Sequence, residues 1–324
     1  MIDEGVDPEL RVPLETMLEA WPGLSAEGLG DMREGLKALT DSVLASRSAA
    51  VKVEDILIPG HAAGSELLLR VYRPLEAQDD PLPVLYWMHG GGMVIGSVDI
   101  DDALLADAVG RHGFGAVSIE YRLAPEHPDP APIEDCYTGL VWLSSQALTL
   151  RLDPNRIAVG GASAGGGLAA GLALLARDRS GPAIMFQFLL EPMLDDRDVT
   201  DSSTQYDRTT LWDRNDNQWG WRALLGERVG SDLVSSYAAP ARASELGGLP
   251  AAFIDVGGIE TFRDECNDYA RRLSAAGVPT EFHLYAGAFH GFDLIAPDSW
   301  IARRAWSLRW SALKRALGAD YQGA

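Results

Sequence analysis

From about residue 50 onward, short apolar runs alternate with longer stretches in which apolar residues recur at helical spacing. The runs cover Val51 to Ile58, Leu67 to Tyr72, Val84 to Met88, Gly115 to Glu120, Ile157 to Val159, Ile184 to Leu190, Ala252 to Val256 and Glu281 to Tyr285. Runs this short and apolar predict β-strands. The first two are expected to open the sheet as an antiparallel pair. Helical patterns between most of the others predict an α/β protein, a mainly parallel sheet with helices on both faces. Two regions stand outside the alternation. Residues 1–45 read as helical, with apolar positions at Leu14, Met17, Leu18 and Trp21. Residues 192–245 interrupt the rhythm and place Trp212, Trp219 and Trp221 among Asp, Arg and Asn.

One uncharged run, Ile157 to Ala176, is 20 residues long, enough to span a bilayer. It also holds a Gly161-x-x-x-Gly165 spacing of the kind that packs membrane helices. The run is mostly Gly and Ala rather than Leu, Ile and Phe, and it divides into strand, turn and helix. The expectation is therefore a buried helix, not a membrane span. Its glycines do not form a nucleotide fingerprint, and no Lys follows them as a phosphate loop requires.

Composition narrows the picture further. The chain has 324 residues, 47% of them hydrophobic, enough for one large core with an appended element. Its formal net charge is −20, and only Lys37, Lys52 and Lys314 are lysines. So acidic a surface repels phosphate backbones and anionic headgroups, which argues against nucleic acid and membranes as partners. It leans towards neutral or cationic small molecules. Cys136 and Cys266 fall in helical patterns and are expected to be free, buried thiols. The N-terminus, Met1-Ile2-Asp3-Glu4-Gly5, lacks the basic and apolar regions of a signal peptide, so the expected location is cytoplasmic.

The chemistry lies at the strand ends. After the run at 157–159 comes Gly161-Ala162-Ser163-Ala164-Gly165, a G-x-S-x-G pentapeptide between strand and helix. In that context a sharp turn lifts the serine hydroxyl clear of the sheet edge. A serine needs a base within hydrogen-bond reach before it is a useful nucleophile. Upstream, the strand at 84–88 runs into His89-Gly90-Gly91-Gly92, whose bare backbone can turn N–H groups inward towards an oxyanion. Downstream, Glu260 follows the strand at 252–256, and His290 follows the strand at 281–285. The order Ser…Glu…His is that of α/β-hydrolases. Asp264 is the rival acid, although it is expected on the following helix.

With Tyr121-Arg122-Leu123-Ala124-Pro125-Glu126-His127-Pro128 and Phe289-His290-Gly291-Phe292 added, the set resembles the hormone-sensitive-lipase-like esterases (bacterial family IV) of the α/β-hydrolase superfamily. The resemblance spans residues 83 to 292. It implies an α/β-hydrolase fold, a mainly parallel eight-stranded sheet flanked by helices with a helical cap. It implies Ser163 as nucleophile, His290 as general base and Glu260 as its orienting acid. The oxyanion hole would come from the N–H groups of Gly91, Gly92 and Ala164. The cap would combine residues 1–45 with 192–245, leaving 46–191 and 246–324 as the catalytic domain. Met93, Trp212 and Phe289 are the candidate substrate-lining residues. Two positions depart from the family pattern, Ala162 and Glu260, each where Asp is usual.

The other histidines and carboxylates receive structural readings. His89 is expected to brace its loop. His61, His112, His127 and His283 have no partner at ligand spacing, so neither a metal nor any other cofactor is expected. Asp79-Asp80, Asp101-Asp102 and Asp195-Asp196 read as solvated loops or helix starts, the middle pair complementing a helix N-terminus. The expected activity is hydrolysis of short- to medium-chain carboxylic esters. Amide, lactone or peptide hydrolysis by the same triad remains open, as does a ligand-binding role on the same scaffold. The resemblance is also compatible with a homodimer.

Overall fold

Val51–Pro59 (β1) and Glu66–Pro74 (β2) pair antiparallel, from Val51 opposite Pro74 to Pro59 opposite Glu66. The remaining strands are Leu82–Met88 (β3), Gly115–Glu120 (β4), Leu152–Ala162 (β5), Phe186–Leu190 (β6), Ala251–Ile259 (β7) and Thr280–Phe289 (β8). The computed structural model describes residues 5–44, 50–62, 64–76, 80–206 and 210–318. Its eight strands form one sheet in the order β1-β2-β4-β3-β5-β6-β7-β8. Every neighbouring pair from β4 to β8 is parallel, and β2 runs against both of its neighbours. All eight apolar runs of the sequence lie in this sheet. The fifth extends well beyond its apolar centre, because parallel pairing with β3 and β6 carries the ladder out to Gly161 and Ala162.

The central strand β3 is buried at every position, as expected of a parallel strand covered on both faces. Helices Asp102–His112 (α3), Ala131–Gln146 (α4), Ala164–Asp178 (α5) and Arg263–Ala275 (α8) fill the crossovers. Helix α5 is buried without a break from Ala164 to Ala176. The 20-residue uncharged run is thus strand up to Ala162 and core helix from Ala164 on, and among the described residues no helix is long and apolar enough to cross a membrane. Cys136 on α4 and Cys266 on α8 are free and buried.

The two regions outside the alternation touch each other. Helix Pro8–Ala20 (α1) starts at Asp7, whose carboxylate accepts Glu9 N–H, with Pro8 at the first helical position. Helix Leu29–Leu44 (α2) follows. Residues 192–245 carry two short helices, Asp201–Gln205 (α6) and Arg214–Leu225 (α7). Asp213 caps α7 by accepting from Asn215 and Asp216 N–H. Asp216 then accepts Trp21 Nε1–H at 2.8 Å and Leu24 N–H at 2.6 Å, tying the first region to the second. From α2, Arg33 donates to Val94 O at 2.8 Å and Ala124 O at 3.0 Å, next to the glycine loop. The C-terminal helices are Phe292–Ile295 (α9) and Trp300–Leu317 (α10).

The acidic pairs correct the sequence reading. Asp101 and Asp102 do stand at the start of α3, but neither side chain caps it; Asp101 is half-buried and Asp102 buried. Asp101 accepts Trp87 Nε1–H at 2.7 Å, and Asp102, 1% exposed, takes Arg70 and Tyr72. Asp195 and Asp196 are buried as well, against Arg197 and Arg242 respectively. In each case a tertiary partner distant in sequence or an adjacent arginine compensates the lost hydration. Of the remaining pair, Asp79 lies outside the described residues and Asp80 is exposed.

Arg242 holds Asp196 with two hydrogen bonds, at 2.5 and 2.9 Å. Removing one partner of such a buried pair strands the other charge, which costs about 3–5 kcal/mol. Arg242→Met is therefore expected to lower unfolding free energy by about that amount, measured by urea denaturation followed by circular dichroism.

Candidate active site

At the C-terminal end of β5 the chain turns through Ser163 with φ 56° and ψ −119°, a left-handed φ that side chains other than glycine rarely adopt. The turn is held from both sides. Ser163 N–H donates to Leu190 O at 2.8 Å, and Ser163 O accepts from Gly167 and Met193 N–H at 3.0 Å. Tight packing under the turn permits only glycine at 165. A Cβ there would overlap the carbonyl oxygen of Met88 and come within 2.6 Å of that of His89.

The hydroxyl so presented meets the histidine predicted for it. Ser163 Oγ lies 2.9 Å from His290 Nε2, and His290 Nδ1 lies 3.0 Å from Glu260 Oε1. An ionised carboxylate only accepts, so Glu260 assigns the imidazole proton to Nδ1 and leaves Nε2 to accept from Ser163 O–H. Glu260 follows β7 directly, is fully buried, and accepts Gly257 N–H at 2.8 Å through its other oxygen. Burial pushes its pKa up, against that hydrogen bond. Burial pushes His290 down from its ordinary value, opposed by neighbouring carboxylates. The imidazole is thus neutral around pH 7, as a proton acceptor must be. Asp264 is not in this line. It sits on α8 and pairs with Arg263 at 2.7 Å and with Ser202 N–H at 2.8 Å.

The glycine loop lies beside the turn. Gly91 and Gly92 take φ of 112° and 60°, and Met93 follows at 66°. Among the described residues, the N–H groups of Gly91, Gly92 and Ala164 make no hydrogen bond. The loop's reverse side is braced. His89 Nδ1 is 2.7 Å from Gly90 O, and its ring stacks on Tyr121 with centroids 4.2 Å apart. Burial lowers His89 to about 4, so it is neutral, in keeping with a bracing role.

The candidate lining residues divide. Trp212 is buried, and its six-membered ring lies so close to Gly92 that a Cβ there would overlap it. Met93 belongs to the same hydrophobic cluster, and its carbonyl accepts Ala124 N–H at 2.9 Å. Phe289 does not join them. Its side chain is fully buried in a separate cluster with Leu10 and Leu14 of α1 and with Tyr206, although its backbone adjoins His290. Sequence reasoning also missed Phe262, whose ring meets His290 edge-on at 5.0 Å, and Glu191, a buried carboxylate 3.3 Å from His290 Nδ1. Phe262 lies two residues after Glu260 in the stretch Gly258 to Glu265 that contributes to the family resemblance, but nothing in that stretch marked its ring for His290, and Glu191 belongs to no motif.

Comparison with known proteins gives a consistent result. Residues 84–294 match the model of a family described by its alpha/beta hydrolase fold. The chain is 36% identical over 321 residues to the carboxylesterase NlhH of Mycobacterium tuberculosis, with 97% of both proteins covered. It superposes on a bacterial heroin esterase with a TM-score of 0.90 at 39% identity, covering 97% of this chain and 98% of that one. It superposes on the esterase LipW of Mycobacterium marinum with a TM-score of 0.86 at 37% identity, covering 97% and 99%.

Gly165→Ala is expected to destabilise the protein by about 1–3 kcal/mol or more, because backbone has to shift. Gly30→Ala, in the first turn of α2 with nothing within 4 Å of its would-be Cβ, is the control. It should be neutral or stabilising by up to about 1 kcal/mol. Parallel urea titrations of the two variants measure the contrast.

Proposed function

We propose, for a chain that belongs to the alpha/beta hydrolase fold family, in its hormone-sensitive-lipase-like branch, and is a carboxylesterase, that Ser163, His290 and Glu260 form its catalytic triad. The observation that carries this reading is the unbroken line from Ser163 Oγ through His290 to Glu260, at 2.9 and 3.0 Å. Ser163 attacks the ester carbonyl while His290 Nε2 takes its proton. Glu260 stabilises the imidazolium that results. The N–H groups of Gly91, Gly92 and Ala164 receive the oxyanion, each such donor being worth about 10²–10³ in rate. His290 then protonates the departing alcohol, and water repeats the sequence in reverse to release the acid.

The residues at 1–45 and 192–245 are proposed to act together as the cap. Support comes from the Asp216 bonds to Trp21 and Leu24, and from Arg33 reaching Val94 beside the glycine loop. Trp212 is proposed to wall the acyl side, with Met93 behind it, and the preferred substrates are short- to medium-chain acyl esters. Trp212 packs directly over Gly92, which limits the room beside the proposed oxyanion donors.

The test is hydrolysis of p-nitrophenyl esters from acetate to decanoate. Wild type is expected to favour the shorter chains, and Ser163→Ala to lose about 10³-fold or more in kcat. Equal turnover by Ser163→Ala and wild type would sink the triad. Trp212→Ala is expected to shift the preference towards longer chains by roughly 10-fold in kcat/KM ratio. An unchanged chain-length profile would remove Trp212 from the pocket. Because burial lowers His290, the acid limb of kcat/KM should have its midpoint below the ordinary histidine value of about 6.5. Activity should rise with pH through that midpoint as Nε2 becomes free to accept a proton, and a pH-rate profile on the acetate ester locates it.

A further inference from the structure

Glu191 is the residue around His290 that the mechanism above leaves unused. It follows β6 directly, in a left-handed conformation with φ 45°, and its own N–H donates to Asp255 O at 2.9 Å. Its side chain is 4% exposed. Oε2 accepts Gly291 N–H at 2.7 Å and lies 3.3 Å from His290 Nδ1. Oε1 stands 3.6 Å from Arg309 Nη2 and has no hydrogen-bond partner. An imidazole, a backbone N–H and a guanidinium therefore face this carboxyl group, all of them donors, while burial and the nearby Glu260 and Asp293 push its pKa up against His290 and Arg309.

We propose that Glu191 is a positioning residue, a second carboxylate that faces His290 Nδ1 beside Glu260 and holds the turn after the histidine through Gly291. The inference rests on the triad reading above. The surrounding charges fit it. Asp255 on β7, Glu260, and Asp293 on α9 gather with Glu191 around Arg309 of α10. Tyr285 on β8 and Cys266 on α8 stay neutral, since burial raises both. Arg309 is thus the fixed cation of the group, and it faces more carboxyl groups than it can neutralise, three of which, Asp255, Glu260 and Glu191, burial pushes up. An imidazolium formed on proton transfer from Ser163 supplies the missing positive charge, and Glu191 favours it from a second direction. The bond to Gly291 fixes the backbone that carries the ring, so one side chain sets both the position and the proton affinity of the histidine.

The variants are Glu191→Gln, Glu260→Ala and the double variant, with Ser163→Ala and His290→Ala as references, assayed on p-nitrophenyl acetate across the pH range. Glu191→Gln keeps an oxygen for Gly291 N–H but removes the charge. It is expected to move the acid limb of kcat/KM about one pH unit lower and to reduce kcat about 10-fold, with KM within about twofold. A purely structural role would lower thermal stability and leave the midpoint where it was, and an unmoved midpoint overturns the proposal. Glu260→Ala is expected to stay about 10-fold above His290→Ala, because Glu191 still faces Nδ1, and the double variant to fall to the His290→Ala level. This comparison needs no change at Glu191 itself, so it stands even where Glu191→Gln fails to fold. Glu260→Ala at the level of His290→Ala also overturns the proposal. Wild-type turnover by Ser163→Ala or His290→Ala would instead remove the triad, a distinct failure.

Discussion

The site depends on one close approach of backbone to backbone. The turn between β5 and α5 presses against the end of β3 so tightly that position 165 has no room for a side chain. That contact goes with the left-handed conformation of Ser163 at the sheet edge. The loop that leaves β3 lies beside the same turn, with Gly90 against Ala162 and Ser163. Positioning errors of about 1 Å are enough to cost 10²-fold in rate.

Around this contact the protein buries an unusual amount of charge. Glu260, Glu191, Asp255 and Arg309 are all nearly or fully inaccessible, in one connected group. Such groups are expensive to desolvate and are kept ionised only by partners with good geometry. Arg309 comes from the C-terminal helix, so the last element of the chain sets the electrostatics of residues on β7, on α9 and after β6. At the other end of the chain, Asp216 and Arg33 join the N-terminal helices to α7 and to the segment after the glycine loop.

Much of this was legible in the residues. Eight apolar runs became eight strands, since a strand buried on both faces must be apolar whatever surrounds it. Gly161-Ala162-Ser163-Ala164-Gly165 and His89-Gly90-Gly91-Gly92 were readable because their glycines answer local backbone demands. Glu260 and His290 stood out by their places after strands, and the two meet at 3.0 Å. The failures share one cause. Asp101 and Asp102 read correctly as a helix start, but their partners, like those of Asp195 and Asp196, were not legible, because a carboxylate pair carries no mark of its partner; Arg70 and Arg242 lie 32 and 46 residues away. The packing of Phe289 against α1 was not legible either, for the same reason.

The sequence by itself determined the strand and helix rhythm, the turn at Ser163, the glycine loop and the order of Ser163, Glu260 and His290 along the chain. These are properties of short segments, set by side-chain periodicity and by which residues tolerate a left-handed turn. Tertiary structure alone decided which charges are buried and with whom, which aromatic ring meets His290, and that Glu191 faces the same nitrogen as Glu260. Most of those relations join residues tens of positions apart, and Glu191 and Gly291 are 100 apart. Hydrogen bonds and Coulomb attraction act over a few ångströms of space, so no pattern along the chain encodes them until the sheet has brought the strand ends together.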